Sequence, residues 1–263
     1  MKKNTLSLSD AKILVFSLLF SLPMVSKAQV LFTQDFSAGG TAATYTGAGG
    51  NLFDFIGVSG TGGSSVYISA VGNRLQLQRN TNAVAFVRGT NLATPAPAVL
   101  KVQFRFTSDF LTAHSSGTAS VASIYVGQGL AVGATGDCFT TVDCNPRHSV
   151  LNIAFPAAGK YCLRSGSTNS TYQYNIDTEV DVFWYINNSG NTITYLDPSG
   201  NSATLDNDVA DVWARGVGAN LPTTAERIFQ AIPALNGAND LTNLKCIFNA
   251  GSGNSAISFD DID

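Results

Sequence analysis

The sequence predicts an all-β fold, a two-sheet antiparallel sandwich or jelly roll. Residues that favour helices are scarce, because the only glutamates are Glu179 and Glu226, whereas Gly, Ser, Thr, Asn, Val and Phe are abundant. Short segments of alternating polar and apolar residues recur, and clusters of Gly, Asn or Ser separate them. Many short strands joined by such turns are typical of a sandwich, with a barrel as the alternative.

Alternation and turn signals place the individual strands. Arg74–Gln78 and Lys101–Phe106 alternate with a period of two, as half-buried strands do. Asn188-Ser-Gly-Asn191 is a turn signal, so we expect the strands before and after it, Thr178–Asn187 and Thr192–Leu196, to pair as a hairpin. Further strands are predicted at Leu31–Asp35, Ala83–Arg88, Ala119–Val126, Val150–Phe155, Tyr172–Asn175, Val209–Ala214, Arg227–Ala231, Lys245–Asn249 and Ile257–Asp263.

The N-terminus has the three parts of a secretory signal peptide. Two lysines follow Met1, Ile13–Pro23 is an apolar run, and Ser26-Lys-Ala28 is a small-x-small cleavage site. The run is too short to cross a bilayer of about 30 Å as a helix. We therefore expect residues 1–28 to be a signal peptide and residues 29–263 to be a single domain. That domain is expected to be secreted or held at the cell surface, without a membrane span.

The charge of the chain argues against nucleic acid as a partner. Charged residues are 13% of the chain and the net charge is −3. A protein that binds nucleic acid through its phosphates needs a basic surface, because each neutralised phosphate requires a lysine or arginine. The composition offers no surplus of such residues.

The four cysteines predict disulfides in an exported protein. Cys138 and Cys144 bracket a short loop, so we pair them with each other, which leaves Cys162 to pair with Cys246. Other connectivities remain open. A metal site is the rival interpretation, but the spacing lacks a Cys-x-x-Cys knuckle and His148, which we expect on the surface, is the only nearby imidazole.

One face of the strand Thr178–Asn187 is expected to enter the core. Alternation puts only apolar side chains on this face, and Trp184 is then a packed core residue and not a sugar platform, because its neighbours on the face are aliphatic. The residues of this face are Val180, Val182, Trp184 and Ile186.

The opposite face of the same strand suits a sugar. It combines Glu179 and Asp181 with Phe183 and Tyr185. Aromatic rings stack on the C–H surfaces of sugars, and carboxylates accept hydrogen bonds from hydroxyls. The alternative is a solvated sheet face with Tyr185 half exposed. A similar polar face lies on another strand, and the sequence leaves open whether the two adjoin; its residues are Lys101, Gln103 and Arg105.

The two ends of the expected domain resemble a known group. Leu31–Ser37 (Leu-Phe-Thr-Gln-Asp-Phe-Ser) and Ile257–Ile262 (Ile-Ser-Phe-Asp-Asp-Ile) resemble the opening and closing strands of bacterial jelly-roll domains of the concanavalin-like, LamG-like and carbohydrate-binding-module kinds. The resemblance implies that these strands pair. It also implies a structural calcium ion held by Asp35, Asp260 and Asp261. The alternative is that the last two acids face solvent on an edge strand.

A second resemblance concerns export. Val182–Gly190, Tyr195–Gly200 and Asp211–Trp213 resemble segments of sandwich domains that bacteria export by the type IX route. Proteins of that kind usually end in a separate sorting domain. This chain stops at Asp263, so we expect either a fragment or an unusually short last strand.

The resemblance implies a secreted, non-catalytic domain that binds a polysaccharide or another glycan. A structural or adhesive surface domain is the first alternative, and a glycoside hydrolase of the concanavalin-like class is the second. That hydrolase family uses Glu-x-Asp-x-x-Glu on one strand, whereas here Glu179-x-Asp181 is followed by Trp184 at the third position. A retaining glycosidase needs two carboxyl groups about 5 Å apart. Since the acid/base partner is missing, we do not predict an enzyme.

Overall fold

The computed structural model describes most of the chain after the expected cleavage site. The described residues are 30–47, 51–60, 65–68, 72–79, 83–89, 95–108, 120–129, 146–217, 224–248 and 255–263. The predicted signal peptide, residues 1–28, lies outside them and stays a prediction. Within the described ranges, no helix has both the length and the apolar character needed to cross a bilayer.

Strands dominate these ranges, where the helical structure is one 3-10 turn at Ala42–Tyr45. Numbered along the chain, the strands are β1 Phe55–Gly60, β2 Ser65–Ile68, β3 Leu75–Arg79, β4 Ala83–Gly89, β5 Val99–Ser108, β6 Ser120–Gly127, β7 Arg147–Ala157, β8 Lys160–Ser165, β9 Thr168–Asn169, β10 Tyr174–Asn175, β11 Glu179–Asn187, β12 Ile193–Leu196, β13 Ser202–Leu205, β14 Val209–Val217, β15 Glu226–Pro233, β16 Asn243–Phe248 and β17 Ser255–Ile262.

The strands form two main sheets, and every strand pair in the described residues is antiparallel. The front sheet has the order β15-β14-β11-β5-β17-β3-β2. The back sheet has the order β1-β4-β16-β6-β7-β8-β10, with β9 attached to β8. Strands β12 and β13 form a separate pair. The predicted two-sheet jelly-roll sandwich is confirmed, and the alternative, a barrel, is not the observed fold.

The core lies between the two sheets and confirms the predicted inner face of β11. Val180, Val182, Trp184 and Ile186 are each fully buried in one apolar cluster, which both sheets supply. The front sheet adds Phe104 and Phe106 from β5, and the back sheet adds residues of β6, β7 and β16. Burial of such side chains is the main favourable term in folding.

The two ends of the domain pair, as the resemblance implied. Gln34 and Ile262 form an isolated antiparallel bridge, and each backbone N–H donates to the other's carbonyl oxygen at 2.9 Å. The expected strand at Leu31–Asp35 is reduced to this bridge. Phe32, which follows Leu31, packs against Phe53 with a ring separation of 4.9 Å and so ties this segment to the core.

Several strands were missed by the sequence analysis. In β8 the four central residues are all buried, so the strand has no alternation to detect. β13 reads Ser-Ala-Thr-Leu, a short and largely polar segment. The predicted strand Tyr172–Asn175 is shorter in the structure, where β10 covers its last two residues.

The predicted hairpin between β11 and the segment Thr192–Leu196 is wrong. β11 pairs along its length with β14 and β5, whereas β12 pairs with β13. The side-chain amide of Asn187 donates to the carbonyl oxygens of Asn191, Leu205 and Asp206 at 2.7–2.9 Å. These bonds hold the chain in a turn away from the front sheet. The β12–β13 hairpin therefore folds over the outer face of the front sheet.

The predicted disulfide between Cys162 and Cys246 is also wrong, and both thiols are free and buried. Cys162 lies on β8 and Cys246 on β16, with β6 and β7 between them. Neighbouring strands are about 4.8 Å apart, so their Cα atoms are much farther apart than the roughly 7 Å that a disulfide allows. Burial raises the pKa of Cys162 to about 11 and that of Cys246 to about 12. Cys138 and Cys144 lie outside the described residues, and their pairing stays a prediction.

Candidate functional site

The two polar faces noted in the sequence adjoin on the outer side of the front sheet. β5 and β11 are hydrogen-bonded neighbours, with Asp181 opposite Arg105, Phe183 opposite Gln103 and Tyr185 opposite Lys101. On its other side β11 pairs with β14, which brings Arg215 opposite Asp181 and Trp213 opposite Phe183. The candidate residues of two distant segments therefore form one continuous surface.

This outer face has two parts. The first, here called the charged surface, lies over β3, β5, β11, β14 and β17 and consists of Arg74, Lys101, Gln103, Arg105, Glu179, Asp181, Arg215 and Asp260. The second, here called the aromatic cluster, lies under the β12–β13 hairpin and consists of Phe183, Tyr185, Tyr195, Leu205, Trp213 and Ala225.

Asp181 is the centre of the charged surface. Its Oδ1 accepts a hydrogen bond from Arg105 Nε at 2.7 Å, and its Oδ2 accepts one from Arg215 Nε at 2.9 Å. The Asp181 side chain is only 6% exposed, whereas those of Arg105 and Arg215 are 32% and 38% exposed. The hydrogen bond to Asp181 raises the pKa of Arg105. A buried carboxylate held by two guanidinium groups has both oxygens satisfied and is fixed in position.

A second set of ion pairs lies beside Asp181. Arg74 Nη2 donates to Glu179 Oε1 and lies 3.9 Å from Asp260 Oδ2. The same carboxylate oxygen is 4.0 Å from Arg105 Nη1, and so is Asp261 Oδ2. Glu179 is thus part of the surface as predicted, but its carboxylate is already paired with an arginine.

The predicted calcium ligands do not converge. The Asp35 carboxylate accepts hydrogen bonds from the backbone N–H and the hydroxyl of Ser37, and these bonds lower its pKa. Asp260 and Asp261 lie beside arginines, and burial together with the Asp260 charge raises the pKa of Asp261. Calcium takes six to eight oxygen ligands. Among the described residues, no three His, Cys, Asp or Glu side chains are placed to hold a metal ion.

The two predicted aromatic sugar platforms are covered. Phe183 and Tyr185 are only 6% and 7% exposed, because the β12–β13 hairpin lays Tyr195 and Leu205 over them. The Tyr185 and Tyr195 ring centroids are 4.3 Å apart. The expectation that these rings stack on a sugar is therefore corrected, as is the alternative of a half-exposed Tyr185. The sequence shows the outward direction of the rings but not the hairpin above them.

A hydrogen-bond chain fixes the hairpin to the sheet. Trp213 Nε1 donates to Tyr195 Oη at 3.0 Å, and Tyr195 Oη donates to Asp211 Oδ2 at 2.6 Å. The other Asp211 oxygen accepts from the backbone N–H of Ala231 at 2.7 Å. Burial and the bond to Asp211 raise the pKa of Tyr195. Asp211 was not among the predicted site residues, although an acid directly between apolar residues of a strand, here Ala210 and Val212, is a signal of a buried polar partner.

Cations line the edge of the aromatic cluster. Lys101 Nζ lies 5.3 Å from the centroid of the Phe183 ring and donates to Gln103 Oε1 at 2.9 Å. The guanidinium of Arg215 lies 5.7 Å from the same ring, and that of Arg227 lies 4.7 Å from the Trp213 ring. Such cation–π contacts each contribute about 0.5–1 kcal/mol at exposed positions. Partial burial lowers the pKa of Lys101.

A separate polar group lies at one end of the sandwich and corrects the expectation of a surface histidine. His148 is fully buried, its Nδ1 is 2.8 Å from Ser149 Oγ, and its carbonyl accepts from Leu235 N–H. Burial lowers the pKa of His148, against the attraction of the Asp208 carboxylate. A Cβ on Gly237 would lie 2.5 Å from the Asp208 carboxyl carbon, so any larger residue there would displace that carboxylate. A cleft of about 610 Å³ at this end is lined by Gln128, Gly129, Pro146, Asn236 and Asn239.

Comparison with known proteins finds likeness in solved structures alone. No family model and no curated protein matches the chain. A carbohydrate esterase from the Shiga toxin-encoding bacteriophage phi24B is 14% identical, with 90% of this chain and 97% of that chain covered and a TM-score of 0.44. The catalytic domain of a glycoside hydrolase family 131 protein from Coprinopsis cinerea is 11% identical, with 90% and 94% covered and a TM-score of 0.44. Peanut lectin is 12% identical, with 83% and 93% covered and a TM-score of 0.39. Likeness at this level assigns no residue a role.

Proposed function

We propose that the chain is a secreted, non-catalytic domain that binds carbohydrate at the charged surface of the front sheet. The observation that carries the proposal is the row Arg105–Asp181–Arg215 across three neighbouring strands, flanked by Gln103 and the Arg74–Glu179 pair. These planar polar side chains both donate and accept hydrogen bonds, as hydroxyl-rich ligands require.

The spacing of the sheet supports the proposal. Side chains on neighbouring strands are about 4.8 Å apart, and those two residues apart on one strand are about 6.8 Å apart. Lys101, Gln103 and Arg105 alternate along β5 and therefore present polar groups about 6.8 Å apart, which hydroxyls of one sugar chain can meet.

The ion pairs support the proposal in a second way, because they fix the side chains before a ligand arrives. Ordering a free, rotamer-rich side chain on binding costs about 0.5–1.5 kcal/mol. The Nε atoms of Arg105 and Arg215 are each hydrogen-bonded to Asp181, so these side chains are already ordered in the folded protein and lose less entropy on binding. A surface that is rigid in advance binds a flexible polymer with less loss of entropy.

The absence of catalysis in the proposal rests on how the acids are used. Glu179 is paired with Arg74, and both oxygens of Asp181 accept hydrogen bonds from arginines. A retaining glycosidase needs one carboxyl group that donates a proton and a second that attacks the sugar. Both acids of β11 instead hold neighbouring side chains in place.

The test is affinity electrophoresis of the exported chain in gels that contain neutral or acidic polysaccharides. We expect retention on at least one of them. Gln103→Ala and Lys101→Ala should each weaken it about 5-fold, the effect of losing about one hydrogen bond. Lys160→Ala is the matched control, because Lys160 also donates to an amide oxygen at 2.9 Å, that of Asn175, but on the back sheet.

The outcomes separate the two candidate classes of function. Retention that the front-sheet variants weaken and the Lys160 variant preserves supports the proposal. Retention that all three variants leave unchanged would remove the charged surface as the site. No retention on any polysaccharide would favour a structural or adhesive surface domain, in which the ion pairs serve the sheet alone.

A further inference from the structure

Each cation of the charged surface faces at least one carboxylate. The pairs, with the cation first, are Arg74 with Glu179, Arg105 and Arg215 with Asp181, and Lys101 with the charge of Asp263. An ion pair cancels most of the field that either partner alone would produce at a distance. The surface is therefore rich in charged groups, but within the described residues it has no cation that lacks a counterion.

One row of the surface alternates in sign as it crosses neighbouring strands. Asp181 on β11 lies between Arg105 on β5 and Arg215 on β14. On the other side of Arg105, on β17, the Oδ2 atoms of Asp260 and Asp261 are each 4.0 Å from Arg105 Nη1. Because neighbouring strands are about 4.8 Å apart, each charge on the row has a charge of opposite sign about one strand away.

A β-bulge places both acids of β17 on this row. Phe259 and Ile262 pair with two residues of β5 that have a single residue, Arg105, between them. Asp260 and Asp261 therefore share the place opposite Arg105. Regular alternation would turn Asp261 toward the core, whereas the extra residue leaves it outside and returns Ile262 to the core. The side chains of Asp260 and Asp261 are 25% and 41% exposed.

We propose that the ligand is a neutral polysaccharide and that Asp260 and Asp261 exclude acidic ones. This inference rests on the proposed carbohydrate-binding function and names its substrate class. A sugar hydroxyl both donates and accepts hydrogen bonds, so two neighbouring hydroxyls can donate to a carboxylate and accept from a guanidinium. A ligand carboxylate beside Arg105 would also lie beside Asp260 and Asp261, whose repulsion offsets the attraction of the arginine.

The existing ion pairs favour a neutral ligand in a second way. The Asp181 side chain is 6% exposed and binds Arg105 and Arg215 through its two oxygens. A ligand carboxylate that drew either arginine away would leave Asp181 buried without one of its counterions, which is strongly unfavourable. Hydroxyls bind without displacing either arginine, so the pairs that order the surface stay intact.

The experiment varies the charge of a polymer while its backbone stays the same. Affinity gels contain one member of three pairs: polygalacturonate or its methyl ester, carboxymethyl or hydroxyethyl cellulose, and carboxymethyl or unmodified dextran. In each pair that retains the exported chain, we expect the neutral member to bind at least about 5-fold more tightly, the effect of one close repulsion in water. Added salt should reduce this preference, because it screens the repulsion between exposed charges.

Variants show whether the bulge causes the preference. The double variant Asp260→Asn/Asp261→Asn removes the repulsion opposite Arg105 and should reduce the preference for the neutral member about 5-fold. Asp206→Asn/Asp240→Asn is the matched control, because it changes the net charge equally at two other exposed positions. Thermal unfolding shows whether each variant folds. If the double variant at the bulge does not fold, Asp261→Asn decides alone, since this side chain is 41% exposed.

Each outcome has one meaning. A preference for the neutral member that the bulge variant reduces and the control keeps supports the inference. Equal or tighter binding of the acidic member overturns it and leaves the carbohydrate-binding function in place. A preference that both variants reduce equally, or that neither reduces, overturns the role of Asp260 and Asp261. No retention by any member of the three pairs, together with none on the neutral polysaccharides of the first test, overturns the function itself.

Discussion

The two halves of the front sheet's outer face look alike in sequence and differ in the structure. Along β11, Glu179 and Asp181 are followed by Phe183 and Tyr185, and all four alternate outward. The acids lie beside arginines in a partly open surface, whereas the rings lie beneath β12–β13. Alternation thus predicts the direction of a side chain, but a neighbouring element decides whether that side chain meets solvent.

The halves also differ in what stabilises them. The aromatic cluster removes apolar area from water, at about 25 cal/mol per Å², and it needs the hairpin to do so. The charged surface gains from ion pairs whose arginines remain about one-third exposed, and solvent screens such pairs. Removing a residue from the aromatic cluster should therefore cost more stability than removing a charge from the charged surface.

The largest effect is expected in the hairpin. Leu205→Ala should lower the free energy of unfolding by about 2–3 kcal/mol, because Leu205 is 2% exposed and seals the aromatic cluster. Leu196→Ala is the matched control, since Leu196 lies on the same hairpin but is 62% exposed, and it should cost less than about 0.5 kcal/mol. Urea unfolding measures both. Equal effects of the two changes would show that the hairpin does not cover the cluster.

An intermediate effect is expected at Asp181. Asp181→Asn keeps one acceptor oxygen but leaves Arg105 and Arg215 facing each other without the charge between them. We expect a loss of about 1–2 kcal/mol, reduced by the partial exposure of both arginines. Asp240→Asn is the control, because Asp240 is exposed. A stabilising effect of Asp181→Asn would mean that the desolvation of the carboxylate costs more free energy than its interactions with the two arginines contribute.

Much of the fold could be predicted from sequence, because it depends on local pattern. Trp184 and its aliphatic neighbours alternate, so their burial in the core follows from the strand alone. The hairpin at Asn187 could not be predicted in the same way. The turn depends on the side-chain amide of Asn187, which donates to the carbonyl oxygens of Leu205 and Asp206, 18 and 19 residues along the chain. No local sequence signal distinguishes this turn from the tight turn of a hairpin.

The candidate site was predictable in part for the same reason. Glu179 and Asp181 were recognised as outward-facing acids, but their arginine partners come from strands 34 to 105 residues away. Of the missed residues, Asp211 and Arg215 lie among apolar residues of β14, and this was an available signal, because a buried charge needs a partner. Arg74 and Arg227 lie next to other polar residues, and the local sequence gives no such signal for them. The prediction of a Cys162–Cys246 disulfide is wrong because the number of cysteines in a sequence carries no information on the distances between them. The order of the back sheet places two strands between these two cysteines.

The smallest effect is expected on stability when the pH is lowered. It arises from His148 at the end of the sandwich and not from either half of the outer face. Burial lowers the pKa of His148 below its ordinary value of 6.5. Below pH 6.5 the unfolded chain therefore binds a proton that the folded chain resists, and stability falls until the lower folded pKa is reached. The slope is at most about 1.4 kcal/mol per pH unit. Neither the charged surface nor the aromatic cluster contains a histidine, so neither contributes to this slope.

His148→Gln should remove that dependence. The difference in unfolding free energy between wild type and variant, measured by urea at pH 7.5, 6.5 and 5.5, should shrink or reverse as the pH falls, by about 1 kcal/mol over the range. Because the carboxylates are common to both proteins, their titration cancels in the difference. A difference that is constant with pH would mean that His148 protonates without cost, and hence that water or a carboxylate reaches its ring in the folded chain. In that case the end of the sandwich resembles the charged surface, where solvent or an opposite charge stabilises each ionised group, and differs from the aromatic cluster.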